Sequence, residues 1–350
     1  ITLAERSVQT ISEIEKAMTD LRRVMDESTT DFGEMRDAIF DLSVAFGQLP
    51  ENVGKAMFLF ARQGKDQAET IELTKTALMA ANIAEMDLEQ AVEWLTAATL
   101  QWNMEAKDSI KLLDAWNEVS NKNAVGAEDL AEAFSHTSTM ARNLGLDIHE
   151  LNALITILAA NTGKKGGEIG RSLAFAFNRA YSPEVQGALQ SVLGTSVFEA
   201  GTGNLRDFSA VLNEIASAWE HLSDAEKKAI AEAFGSARHV QDMMILFENL
   251  NEQGLKVASE SMNSFGSAAR ENAKYMQTLE RSTTALLSSL KELAVTLGDS
   301  GILAVLQTGI DVAKGALGIF NQLHPAIKQM AMGVLVASLA GKGLEKVFGP

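Results

Sequence analysis

The stretch ANTGKKGGEIGRSLAFAFNRAYSPEV (Ala160–Val185) is where a catalytic and an architectural interpretation of the chain diverge. A phosphate-binding P-loop needs a glycine, four residues and then Gly-Lys-Ser/Thr, directly after a strand. Here Gly163-Lys164 is followed by Lys165, and Leu158 occupies the position of the first glycine. The Gly-x-Gly-x-x-Gly pattern of dinucleotide-binding folds is also missing from the stretch. The sequence therefore favours a helix, a bend and a second helix over phosphate binding.

The glycines of this stretch are predicted to form a hinge without a ligand. Gly163 ends the first helix, and Gly166 and Gly167 lie before the apolar face of the second. Lys164 and Lys165 are then predicted to be surface groups, either solvated or in contact with an acidic partner. Replacing such exposed charges changes stability little.

Capping residues recur along the chain and predict an all-α fold, a multi-helix array with short loops. An Asp or Ser is followed three residues later by Glu at Asp66–Glu69, Asp147–Glu150 and Ser223–Glu226. These side chains can pair with the free backbone N–H groups at helix starts. The four prolines lie between candidate helices or at the chain end, as a helical chain requires. Only the segment Ser196–Phe198 resembles a short strand.

Residues 1–29 predict a coiled-coil-like helix. Its apolar residues alternate by three and four positions, as in an a/d seam, which predicts self-association through this stripe. The stripe consists of Ile11, Ile14, Met18, Leu21 and Met25. The alternative left open is an amphipathic helix that packs the same side chains on the chain's own core.

Residues 30–250 predict a compact helical core region, and residues 251–350 predict long helices that lead to an apolar C-terminal segment. Ser267–Leu297 runs without Gly or Pro, which favours a longer helix. The apolar run Met330–Ala340 is too short to cross a bilayer, which needs about 20 residues. Because the chain starts at Ile1, without a Met, and stops just after an apolar stretch, we expect it to be a piece of a longer protein or a processed form.

Composition excludes several kinds of site. The net charge of −16 disfavours general nucleic-acid binding, and the lack of cysteine excludes disulfides and Cys-ligated metals. His149-Glu150 begins a zinc-protease pattern, but Ala153 stands where a second His is needed, so Glu150 is interpreted as a capping residue. We predict no catalytic, cofactor-binding or metal-binding residue. A glycosidase-like carboxylate pair stays open, because its separation is a three-dimensional quantity.

Several stretches together resemble the core region of phage tail tape measure proteins. Three of them are ELNALITILAANTGKKGGEIGRSL (150–173), SPEVQGALQSVLGTSVFEAGTGNLRDFSAVLNEIA (182–216) and LSDAEKKAIAEAFGSARHVQDMMILFENL (222–250). LERSTTALLSSLKELAVTLGDSGILAVLQTGI (279–310) and NQLHPAIKQMAMGVLVASLA (321–340) resemble the helices that close that region. The likeness covers about residues 30–340, and the order and spacing of the pieces make it specific. The family has no catalytic residues in this region to carry over.

The resemblance implies a mechanical role. Such proteins fill the lumen of the growing tail, set its length and leave ahead of the DNA during infection. The implied partners are the tail tube protein, tail assembly chaperones and distal tail or baseplate hub proteins, with a homo-oligomer in the lumen. The implied location is the virion, in the tail lumen or tail tip, after assembly in the host cytoplasm. Host membrane contact is implied only through sequence beyond the C-terminus.

The compact pattern of caps conflicts with the extended form that the resemblance implies. A fully helical rod of this length would reach about 500 Å, whereas a globule would have a radius of gyration of about 20 Å. The segment is therefore either a folded head at one end of the tail or a domain that unravels in the tube. A helical binding scaffold, a membrane-inserting toxin or pore segment and a cell-wall glycosidase are the alternatives.

Overall fold

The computed structural model describes residues 3–84, 86–199, 201–278, 281, 283–289 and 291–292, with side chains from residue 12 onward. Fourteen α-helices joined by short connections lie within residues 3–275, and the described residues from 281 to 292 are also helical. In chain order the helices are α1 (Leu3–Arg22), α2 (Phe32–Phe46), α3 (Pro50–Ala61), α4 (Gln67–Ile83), α5 (Leu88–Trp102), α6 (Ser109–Lys122), α7 (Ala127–Asn143), α8 (Ile148–Thr162), α9 (Gly166–Arg179), α10 (Pro183–Val192), α11 (Phe208–Trp219), α12 (Asp224–Asn249), α13 (Leu255–Met262) and α14 (Ser267–Tyr275). A 3₁₀ turn at Ala106–Asp108 precedes α6, and a π-helical turn at Leu250–Gly254 joins α12 to α13.

The all-α prediction is confirmed. Across the ranges that the structure describes, β-pairing is limited to an isolated antiparallel bridge between Phe198 and Leu205. This bridge lies at the segment that the sequence marks as strand-like. It closes the connection between α10 and α11 and does not extend into a sheet.

The predicted capping residues begin their helices. Asp147 accepts a hydrogen bond from the N–H of Glu150, whose side chain accepts one from the N–H of Asp147. Ser223 and Glu226 form the same reciprocal pair at the start of α12. At Asp66–Glu69 the two hydrogen bonds measure 2.8 Å and 3.3 Å. Because these bonds satisfy N–H groups that lack a partner within the helix, local sequence defines these boundaries.

The long helix predicted over Ser267–Leu297 is interrupted, so that prediction is wrong in its first part. α14 ends at Tyr275, where the N–H of Thr278 donates to the Tyr275 carbonyl at 3.0 Å in a tighter turn. The Thr278 hydroxyl then accepts the N–H of Arg281 at 3.4 Å, as a helix N-cap does. The predicted apolar segment Met330–Ala340 lies outside the described residues.

The chain divides into two compact units. Of the described residues, unit 1 contains those up to Leu78 and those from Asn272 to residue 292, and unit 2 contains those of Met79–Glu271. In unit 1, α1 packs on α3 so closely that a Cβ added to Gly54 would lie 2.8 Å from the Cβ of Ala17. The predicted domain limits at residues 29 and 250 stay predictions.

The core of unit 2 is built around aromatic contacts. Phe134 contacts Trp102 and Trp116, with ring centroids 5.8 Å and 5.4 Å apart. Phe234 contacts Phe208 at 6.1 Å and Phe247 at 5.4 Å. These separations lie in the range where ring pairs stabilise a core beyond their buried area. The second group joins α11 to two parts of α12, one on either side of Ser236.

Candidate functional site

The bend between α8 and α9 is the candidate site, because the predicted hinge glycines and basic residues lie there. Gly163 ends α8 with φ of 67°, and its N–H donates to the Ala159 carbonyl. This left-handed conformation strains residues that carry a Cβ, so glycine is favoured at this position. The predicted helix end at Gly163 is therefore confirmed, while movement about it stays a prediction.

Gly166 and Gly167 are the first residues of α9, and they lie against α7. A Cβ added to Gly166 would lie 2.3 Å from the backbone oxygen of Asp129, and one on Gly167 would lie 2.6 Å from a carboxylate oxygen of Glu132. A larger residue at Gly166 would push the two helices apart, because its Cβ would meet backbone atoms of α7, whereas one at Gly167 would displace only the Glu132 carboxylate. Gly166 therefore permits close packing of α9 on α7, a role that the hinge interpretation missed.

The N-terminus of α9 binds carboxylates of the chain itself. The N–H of Gly166 donates to Asp129 at 2.9 Å, and the N–H of Gly167 donates to Glu132 at 2.9 Å. Free N–H groups and the helix dipole make such an end attractive to anions, including phosphate. Here the position that a phosphate would take holds two side chains from α7. The bend is thus built as a helix junction.

Gly170 extends this junction by one helical turn. A Cβ at Gly170 would lie 2.8 Å from the Cβ of His136 and 3.0 Å from the Cα of Ala133. Gly166 and Gly170 are four residues apart and share one face of α9. This spacing of small residues was the signal in the sequence that could have predicted a close helix crossing.

The prediction that both lysines of the bend are surface groups is wrong for Lys164, which pairs with a buried carboxylate. Its ammonium group donates to Asp242 of α12 at 2.5 Å, and the Asp242 side chain is only 4% exposed. The hydroxyl of Ser172 donates to the other oxygen of Asp242 at 2.8 Å. Lys165, by contrast, is 79% exposed, as predicted. Tertiary packing places α12 beside the bend, and no local pattern of sequence indicates that contact.

The predicted self-association stripe contributes to the core of unit 1. Ile14 is 2% exposed and Leu21 is fully buried, because α1 packs on α3. Met18 and Met25 are partly exposed, and the side chain of Ile11 lies outside the described ones. This arrangement agrees with the alternative in which the seam packs on its own chain. Self-association through the stripe stays a prediction, and it would have to use the partly exposed residues Met18 and Met25.

A second polar cluster holds the connection between α10 and α11. Arg206 binds the carboxylate of Glu214 through a short ion pair, and it donates to the Ser196 carbonyl at 2.7 Å. The hydrogen bond from Arg206 lowers the pKa of Glu214, and the same bond raises the pKa of Arg206. Thr195 also donates to Glu214, at 2.6 Å. The cluster fixes the entry into α11.

The remaining candidates for chemistry have structural partners. Glu150 forms the cap of α8 and also binds Ser209, and His149 lies 2.7 Å from the Ser261 hydroxyl. Within the described residues, no group of three or more His, Asp or Glu side chains could hold a metal ion. In the same part of the chain, every helix is too short or too polar to cross a membrane.

Comparison with known proteins agrees with the family resemblance seen in the sequence. The family described as phage-related minor tail protein matches residues 36–235. The tape measure protein of Pneumococcus phage Dp-1 is 22% identical over 276 residues, which cover 78% of this chain and 24% of that relative. The chain thus spans about a quarter of the length of the curated relative that it matches. No solved structure is significantly similar.

Proposed function

The chain belongs to the family of phage-related minor tail proteins, a structural family of the phage tail, and on this premise we propose that it acts as a segment of the tail's length-determining rod. In this proposal it occupies the tail lumen, sets tail length by its own length and leaves before the DNA is ejected. The observation that carries the proposal is the match of residues 36–235 to the family, supported by the similarity to a tape measure protein.

The physical basis of the proposal is the axial rise of an α-helix. Each helical residue adds about 1.5 Å to a rod, so length is encoded by residue number. A folded unit does not have this property, because its size grows with only about the 0.4 power of chain length. The proposal therefore requires the two units to open into a continuous helical path inside the tube.

The partners follow from the same location. We propose contact with the tail tube protein along the lumen, with tail assembly chaperones before the tube closes, and with distal tail or baseplate hub proteins at the tip. A homo-oligomer in the lumen would place several copies side by side. Contact with the host membrane is proposed only for sequence beyond Pro350.

The test is a change of chain length in both directions. Deletion of α5 to α6 should shorten the assembled tail by about 1.5 Å for each residue removed, and tandem duplication of the same helices should lengthen it equally. Tail lengths would be measured on electron micrographs. A matched control is Lys165→Ala, which leaves residue number unchanged and should leave tail length unchanged. Tails of normal length from both the deletion and the duplication would contradict the proposal and assign this segment to a terminal domain.

A further inference from the structure

Two backbone segments that are distant in sequence touch within unit 1. Gly47 follows α2 with φ of 60°, and a Cβ added there would lie 2.9 Å from the backbone oxygen of Arg281 and 3.2 Å from its Cα. The Arg281 guanidinium donates to the Gly47 carbonyl at 3.3 Å, across 234 positions of sequence. Glycine is required at position 47 for two reasons: the backbone there is left-handed, and the backbone at Arg281 leaves no room for a Cβ.

Two side-chain contacts lie next to the contact between Gly47 and Arg281 and join the same two segments. The hydroxyl of Ser288 donates to the Gln48 carbonyl at 2.7 Å. The ammonium group of Lys291 donates to both carboxylate oxygens of Glu51, at 2.6 Å and 2.7 Å. Lys291 is 16% exposed, so the ion pair is shielded from much of the screening that weakens surface pairs.

We propose that these contacts form a mechanical latch that keeps tension off unit 2 until it opens. The latch is defined by Gly47, Gln48 and Glu51 on one side and by Arg281, Ser288 and Lys291 on the other. All of Met79–Glu271 lies between the two sides in sequence. Tension applied outside the latch therefore passes from one side directly to the other, and the enclosed loop carries none.

The latch also separates the compact form from the extended one. With the latch closed, Gly47 and Arg281 are in contact; in a continuous helix, 234 residues would place them about 350 Å apart. The two states exclude each other, so the latch must open before the chain can measure length. The biological role of the latch rests on the proposed function, whereas its mechanical order is a property of the isolated chain.

The order of opening can be measured by pulling single molecules of the full chain. The sequence has no cysteine, so cysteines at Ser28 and Pro350 provide unique handles outside the latch. We expect the opening of unit 1 to precede the long extension of unit 2 in every trace. Handles at Glu89 and Ala269 lie inside the latch and report the unfolding of unit 2 alone. Extension of unit 2 before unit 1, or in random order, would overturn the proposal.

Two glycines provide a matched pair of variants. Gly47 and Gly64 both have positive φ, but a Cβ at Gly64 would meet nothing within 4 Å. Both alanine variants strain the backbone, and only Gly47→Ala forces the latch apart. We expect the opening rate of unit 1 to rise roughly tenfold more in Gly47→Ala than in Gly64→Ala, with unit 2 unchanged between the inner handles. Equal rates in the two variants would contradict the proposal.

A charge exchange tests the latch without a change at glycine. Glu51→Lys and Lys291→Glu should each raise amide hydrogen exchange in residues 281–292 by about tenfold or more, since each leaves two like charges in contact. The double exchange should restore most of the protection, less a remainder because Glu13 also lies 4.0 Å from Lys291. Single variants without effect, or a double variant as exposed as the singles, would reject the latch. Tail length is measured separately. If tail length does not follow chain length but unit 1 still opens before unit 2, only the proposed function is rejected.

Discussion

The rings of Phe234 and Phe247 meet edge to face, 5.4 Å apart, although both belong to α12. In a straight helix these residues would be about 20 Å apart along the axis. The two rings meet because α12 bends sharply at Ser236, where φ is 50° and ψ is −174°. A side chain in this backbone region carries strain of about 1–3 kcal/mol.

Ser236→Gly is expected to stabilise unit 2 by about 1 kcal/mol, because glycine adopts this conformation without a Cβ conflict. Urea denaturation of the full chain measures the change. Asn103 is the control, since it also has positive φ, but in the left-handed region that Asn tolerates. Asn103→Gly should therefore change stability by no more than about 0.5 kcal/mol. A loss of stability in Ser236→Gly would show that the serine side chain is needed at the bend.

Lys164→Ala is expected to cost about 2 kcal/mol, because it leaves the carboxylate of Asp242 buried without its cation. Lys165→Ala, at the neighbouring exposed position, should fall within about 0.5 kcal/mol of the wild type. Denaturant midpoints compare the two variants directly. Adding Asp242→Asn to Lys164→Ala should recover part of the loss, since the unpaired charge is removed. Equal effects from the two lysines would mean that the ion pair does not form in solution.

Gly170→Ala is expected to destabilise the chain by about 1–3 kcal/mol, since its Cβ would press on α7 at Ala133 and His136. Gly187 is the matched position, a helical glycine in α10 with nothing within 4 Å of an added Cβ. Gly187→Ala should stabilise by about 0.5–1 kcal/mol through helix propensity. Thermal unfolding of both variants gives the opposite signs that we expect. A stabilising Gly170→Ala would rule out close packing of α9 on α7.

The Arg206–Glu214 pair predicts a defined acid sensitivity. The pKa of Glu214 is lowered below its ordinary value of 4.5, so the folded state binds its proton less readily than the unfolded state does. The resulting stabilisation is present above about pH 4.5 and is lost as the pH falls through the folded pKa. Glu214→Gln should therefore flatten this part of the dependence of the urea midpoint on pH. Parallel curves for variant and wild type would show that the pair contributes nothing to the acid limb.

Self-association of the N-terminal stripe is best tested at its exposed edge. Ile14→Asp would place a carboxylate in the core of unit 1 and should destabilise the monomer whether or not an oligomer forms. Met18→Lys with Met25→Lys changes partly exposed positions and should leave unit 1 folded. Analytical ultracentrifugation at high concentration should then show an oligomer for the wild type and a monomer for the double variant. A monomeric wild type would assign the whole stripe to intramolecular packing.

The helix boundaries were predictable from sequence because they depend on neighbouring residues. The cap of α8 joins Asp147 to Glu150, and the end of that helix depends on one glycine at Gly163. Such signals act within one helical turn, so their physical cause lies entirely within the local sequence. The interruption after Tyr275 was missed because the Thr278 cap lies in a run without Gly or Pro, and such a run also favours a continuous helix.

Sequence alone thus determined the helical class of this protein, most of its caps and its likeness to a family of tail proteins. Only the tertiary structure decided what the bend at Gly163 contacts. It placed Asp129 at the start of α9, 37 positions away, and Asp242 beside Lys164, 78 positions away. The pairing of residues so far apart depends on how whole helices pack, and packing depends on the shape and volume of every side chain between them. No spacing within a single helix carries that information.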